Sequence, residues 1–220
     1  MTAGGSVSAA RAHDRINQTH GVRDLLAFGG SAGGFQALLG ILRRLPREFP
    51  ATIGVVLHRS PVFVRNIASI IARKISLPVS EPADGEAVKS GHVYLAPRDL
   101  HMTIEDECWR LDRGPKKHLV RPAVDPFMFS AAMARGNRVV GVLLSGGGAD
   151  GVAGLIAISS KGGLSIVQRP EEARVKSMPL TAIRGDDVNA VMHVDEIAAA
   201  LPMLAEGRSV GAEGPAERRD

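Results

Sequence analysis

Three short stretches of the chain carry residues that could do chemistry together: Gly29-Gly30-Ser31-Ala32-Gly33-Gly34, Leu57-His58-Arg59-Ser60-Pro61, and Ser145-Gly146-Gly147-Gly148-Ala149-Asp150-Gly151. Gly29, Ser31 and Gly33 satisfy G-x-S-x-G, the strand-turn-helix pattern that holds a serine hydroxyl exposed at the carboxyl end of a sheet strand. A hydroxyl, an imidazole and a carboxylate are what serine-type acyl transfer needs: Ser31 attacks, His58 removes its proton, and Asp150 fixes the imidazole tautomer. Each residue also has a plain structural reading. Glycines suit any tight βα turn with Ser31 as a cap, a histidine closing a buried strand can be purely structural, and Asp150 is placed to cap the helix that follows it. If it caps that helix, asparagine at 150 should preserve the fold. The catalytic reading rests on the convergence of the three.

That convergence depends on the elements around them. Leu25 to Phe28 is an apolar run entering the serine turn, and Phe35, Leu38, Leu39, Leu42 and Leu45 recur at helical spacing up to Pro46. Thr52 to Leu57 is a buried strand delivering His58, with Ser60 and Pro61 opening a helix that carries Phe63, Ile67, Ile70 and Ile71 inward. Val93 to Ala96, Met102 to Ile104 and Trp109 to Leu111 read as short strands of an antiparallel excursion at the sheet edge. Asp125-Pro126 marks a helix start, with Asp125 as its cap, and Val139 to Leu144 is a third buried strand that empties into the Asp150 loop. Leu164 to Gln168, a short helix around Pro179 to Ile183, a strand near Val191 to Val194 and a helix from Asp195 to Ala205 complete the alternation. The expected fold is α/β, a doubly wound, mostly parallel sheet with helices on both faces. In such a sheet Ser31 and His58 emerge on the same edge, where open α/β sheets place ligands.

Two rival readings use the same residues. Ser31, Asp150 and His193 follow the triad order of an α/β-hydrolase-type esterase. Gly146, Gly148 and Gly151 match G-x-G-x-x-G, the mark of a non-hydrolytic nucleotide-binding module, although Asp150 would set an anion inside the pyrophosphate cradle.

Composition narrows the class. The chain has 220 residues, 45% hydrophobic and 4% aromatic, with a formal net charge of +4. One domain is expected over 23–205, between disordered tails at 1–22 and 206–220. Scattered basic residues and few aromatics give no stacking platform, so no nucleic-acid partner is expected. A single cysteine, Cys108, excludes an internal disulfide and a thiolate metal cluster. No run is long enough to insert in a membrane and no signal peptide is evident, so the cytoplasm is the expected compartment.

Taken in order, GGSAGG at Gly29 to Gly34, LHRSP at Leu57 to Pro61, VYLAPRDLHM at Val93 to Met102, RPAVD at Arg121 to Asp125, GVLLSGGGADG at Gly141 to Gly151 and Met178-Pro179 resemble the catalytic domain of the chemotaxis protein-glutamate methylesterases. The resemblance runs from about Leu25 to Ala205. It implies Ser31 as nucleophile, His58 as base and Asp150 as orienting carboxylate, acting on glutamyl methyl esters of a methylated chemoreceptor or related sensory protein, with glutamine deamidation as a second activity and with no metal or organic cofactor. Ala32 stands where the family usually has threonine, Gly147 where it has methionine, Leu57 where it has glutamine, and Ser177 where it has glycine. Oxyanion donation is therefore expected from the backbone of Ala32 and Gly147. The family's receiver domain has no counterpart before Leu25, so a regulatory receiver protein acting in trans is expected.

Overall fold

A computed structural model describes residues 21–58, 66–185 and 188–210. In chain order the elements are β1 (Leu25–Gly30), α1 (Gly34–Leu42), β2 (Thr52–Leu57), α2 (Ile67–Ala72), β3 (Val79–Ser80), β4 (Val93–Leu95), β5 (His101–Glu105), β6 (Cys108–Asp112), α3 (Val124–Arg135), β7 (Val139–Leu143), α4 (Val152–Ser160), β8 (Leu164–Gln168), α5 (Ser177–Gly185), β9 (Ala190–Met192) and α6 (Val194–Ala205). Seven strands form one sheet in the order β3-β4-β2-β1-β7-β8-β9, and every pair in it is parallel. The strands are buried on both faces, as a parallel sheet covered by helices requires. Alternation along β1 divides its side chains: Leu26 and Phe28 join Leu38, Ile41, Ile71, Ile197 and Leu201 on one face. Leu25 and Ala27 join Phe127, Met128, Leu155, Ile158 and Met178 on the other.

The middle segment corrects one expectation. Val93–Leu95 does not belong to an antiparallel excursion; it lies in the parallel sheet between β3 and β2. Among the strands of the described residues, β5 and β6 alone pair antiparallel, in a separate two-stranded ribbon. The ribbon covers the α3 face through Met102, Ile104 and Trp109. Trp109 and Phe127 approach so closely that a Cβ on Gly54 of β2 would lie 2.3 Å from Phe127 and 3.1 Å from Trp109, which explains a glycine in the middle of a buried strand.

Ser60, Pro61 and Phe63 lie outside the described residues. The described helix α2 starts later, with the Asn66 side chain accepting from Ser69 N–H at 3.0 Å. Most of both expected tails also lies outside the described residues. None of the described helices is long and apolar enough to cross a membrane.

Candidate active site

The serine turn sits at the centre of the sheet. β1 ends at Gly30, and the Ser31 N–H donates to the Ser145 carbonyl at 3.0 Å while its own carbonyl accepts from Gly34 N–H at 2.9 Å. Gly33 caps α1 at φ 85°, a left-handed conformation that disfavours any Cβ, and an added Cβ there would meet Ser145 Oγ at 2.6 Å. On the neighbouring strand, His58 N–H donates to Gly30 O at 3.0 Å, so the imidazole leaves the sheet beside the serine turn. From the other side comes the β7 loop, whose Gly146 faces the serine so closely that a Cβ there would sit 2.9 Å from Ser31 Cβ.

Asp150 completes the arrangement from that same loop. Its Oδ2 lies 2.7 Å from His58 Nε2 and also accepts the Val124 N–H at 2.7 Å; its Oδ1 accepts the Asp125 N–H at 2.9 Å. The residue is 1% exposed. Burial alone would raise its pKa, but the His58 hydrogen bond, the Val124 and Asp125 amides and the His58 charge outweigh that and hold it below the usual carboxylate value. An ionised carboxylate only accepts, so His58 Nε2 must carry the proton and Nδ1 the lone pair. An imidazole fixed in this way, beside a serine on a tight turn, can act as a general base.

Two expectations about caps are reversed. Asp150 does not cap α4, whose N-cap is Gly151; it holds the first amides of α3. Asp125 is not the N-cap of α3, which is Ala123; its Oδ1 accepts from Gly151 N–H at 2.9 Å and Gly154 N–H at 2.8 Å, at the start of α4. The close approach depends on Gly29 and Gly151, where a Cβ would meet Val124 at 2.3 Å and 2.9 Å.

His193 plays no part in this arrangement. It precedes α6 beyond β9, three strands from β1 and so roughly 14 Å away across the sheet, with its N–H on Glu196. The Ser31-Asp150-His193 grouping is therefore not assembled. The nucleotide reading fails at the helix N-terminus where a pyrophosphate would dock, because the Gly151 and Gly154 amides there are taken by the Asp125 carboxylate.

Sequence reasoning missed the supports. Ser145 Oγ donates to Ala32 O at 2.7 Å and accepts from Val175 N–H at 3.0 Å, while Ser145 N–H donates to buried Gln168 at 2.8 Å. Met178 packs on Gly146, its sulfur 2.7 Å from where a Cβ would be. The Arg121 guanidinium binds Asp99 at 2.8 Å and holds its carboxyl below the usual range. His101 takes Ala123 N–H on Nδ1 at 3.3 Å and donates from Nε2 to Pro115 O at 3.1 Å. The signal for Ser145 was its place at the first turn after a buried strand; Met178, Arg121, Asp99 and His101 lie in stretches that carry the resemblance, but no local pattern gave them a role.

His118, Asp125 and Asp150 place three ligand-type atoms within 4.8 Å, yet every one of the four carboxylate oxygens already accepts a protein N–H, so the group reads as a capping network rather than a metal centre. Among the described residues the Ala32 and Gly147 amides donate no hydrogen bond, which leaves both available to a ligand oxygen.

Comparison with known proteins agrees with this architecture. The family model of the CheB methylesterases matches residues 26–201. The chain belongs to that family. It is 36% identical over 179 residues to a Pyrococcus horikoshii protein named protein-glutamate methylesterase/protein-glutamine glutaminase, covering 80% of this chain and 49% of the relative. A Salmonella typhimurium protein of the same name is 34% identical over 191 residues, covering 84% and 54%. The chain thus spans about half the length of the curated relatives it matches. The crystal structure of the Thermotoga maritima CheB methylesterase catalytic domain superposes with a TM-score of 0.78 at 34% identity, covering 82% of this chain and 98% of that one.

Proposed function

We propose that residues 23–205 form the catalytic unit of a protein-glutamate methylesterase. The Ser31 hydroxyl attacks the carbonyl of a glutamyl methyl ester, His58 Nδ1 takes the hydroxyl proton, and Asp150 holds the imidazolium that results. The tetrahedral oxyanion is received by the backbone amides of Ala32 and Gly147. Collapse returns the proton to the departing methoxide, methanol leaves, and water hydrolyses the acyl-serine by the same steps in reverse. With a glutamine substrate, ammonia leaves instead and the product is again glutamate.

The observation that carries this reading is the 2.7 Å bond between His58 and Asp150 beside the serine turn. The substrate in this proposal is a methylated chemoreceptor or related sensory protein in the cytoplasm; the names of the relatives speak for the reaction on protein glutamyl esters and glutamines. Those relatives are about twice as long as the matched stretch, and control by a receiver protein acting in trans belongs to the same proposal.

The test is methanol release from methyl-esterified receptor proteins, compared with release from unrelated carboxylic esters. Release from glutamyl esters supports the assignment. Silence on every methylated receptor, with turnover of unrelated esters, would remove the substrate and leave the hydrolase chemistry.

A further inference from the structure

A second imidazole lies against the far side of the Asp150 carboxylate. His118 and Leu119 form the tip of a tight turn closed by Lys117 N–H to Val120 O at 3.2 Å and Val120 N–H to Lys117 O at 2.9 Å. Both tip residues are left-handed, His118 at φ 49° and Leu119 at φ 64°. Such a turn is ordinarily built from asparagine and glycine, and two bulkier residues there are strained. Arg121 fixes the base of the turn by donating to the carbonyls of Arg113 at 2.8 Å and Gly114 at 2.7 Å.

The strained turn delivers His118 Nε2 to within 2.8 Å of Asp125 Oδ2 and 3.9 Å of Asp150 Oδ1. Asp125 uses its other oxygen to hold Gly151 and Gly154, so His118 braces the carboxylate that fixes the residue next to Asp150. His58 occupies Asp150 Oδ2, and His118 approaches Oδ1. The charged groups around His118 are Asp125 of α3, Asp150 of the β7 loop and Lys117 of its own turn; Pro126, Phe129, Ala153 and Gly154 complete the cleft it lines.

We infer that His118 is a positioning residue for the triad, acting through Asp125 on Asp150. This inference rests on the triad reading. Loss of the His118 donor would free Asp125 Oδ2 and loosen the Asp125 amide that Asp150 Oδ1 accepts.

The experiment follows phosphonylation of Ser31 by a fluorophosphonate probe, read by intact mass across pH in the wild type, His118→Ala and His118→Gln. This readout does not need a methyl ester substrate, so failure of the substrate assignment leaves it intact. His118→Ala should slow labelling at the plateau by about tenfold, the scale of one lost orienting hydrogen bond. His118→Gln keeps a donor for Asp125 but no charge. It should recover most of the plateau rate, which a mere change of packing would not predict. Labelling of His118→Ala at the wild-type rate, or no recovery in His118→Gln, would overturn the inference; so would a wild type that is not labelled at Ser31.

Discussion

Asp125 and Asp150 each cap the helix that the other belongs to or precedes. Asp150, just before α4, takes the Val124 and Asp125 amides at the start of α3, and Asp125 in α3 takes the Gly151 and Gly154 amides at the start of α4. The exchange locks the two helices together at the sheet edge and leaves Asp150 Oδ2 facing His58. The carboxylate bonded to the His58 imidazole is thereby also a structural fastener.

Replacing that carboxylate should therefore cost both activity and stability. Asparagine keeps one oxygen, and its NH₂ group must face a backbone N–H that Asp150 now satisfies. Asp150→Asn should lower kcat by about four orders of magnitude through the lost tautomer control and destabilise the fold by about 1–3 kcal/mol. Ester hydrolysis together with urea unfolding measures both. Unchanged stability would argue against the exchanged caps.

The same carboxylate sets an acid limit. Its pKa is depressed in the fold, so its contribution to stability is fully present above the unfolded value and is lost as pH falls through the folded one. The urea midpoint of the wild type should drop below about pH 4, and Asp150→Asn should reduce that drop. At neutral pH Asp150 stays ionised, so any loss of activity between pH 7 and 5 must come from another group.

Ser145 offers a test away from the reacting atoms. Its hydroxyl ties Ala32 to Val175, and alanine there would leave a carbonyl and an amide unpaired against the Ser31 turn. Ser145→Ala should destabilise by about 1–3 kcal/mol and lower kcat more than it raises KM, because the turn that aims Ser31 is loosened. Cysteine at this position, keeping a weak donor, should recover part of the loss.

The two histidines at strand ends should behave differently. His58→Ala should cut kcat by about three or more orders of magnitude. His193→Ala should leave turnover within about twofold, because His193 stands beyond the edge strand β9. A silent His58→Ala with an inactive His193→Ala would reassign the base.

Much of this was legible because its causes are local. Thr52–Leu57 and Leu164–Gln168 appear with the bounds their apolar runs indicate, and Ser31, His58 and Asp150 each close such a run or the loop beyond it. The caps were not legible, because nearness in sequence assigned Asp150 to α4 and Asp125 to α3, whereas each carboxylate bonds to the helix beside it in space. Val93–Leu95 was misplaced for a related reason. Three residues between turn signals look alike in a ribbon or a parallel sheet, and only pairing with Ile53 and Val79 decides. The His118 turn carries no glycine or asparagine at its tip, so nothing in its sequence announced a left-handed corner.

The central claim is that Ser31 is the nucleophile of an ester-hydrolysing site. Its most direct test is methanol release from a protein carrying glutamyl methyl esters, measured for the wild type and for Ser31→Ala at equal folded concentration. The account predicts release by the wild type and a loss of about three or more orders of magnitude in the variant, with its melting temperature unchanged. Comparable methanol release by folded Ser31→Ala would contradict it.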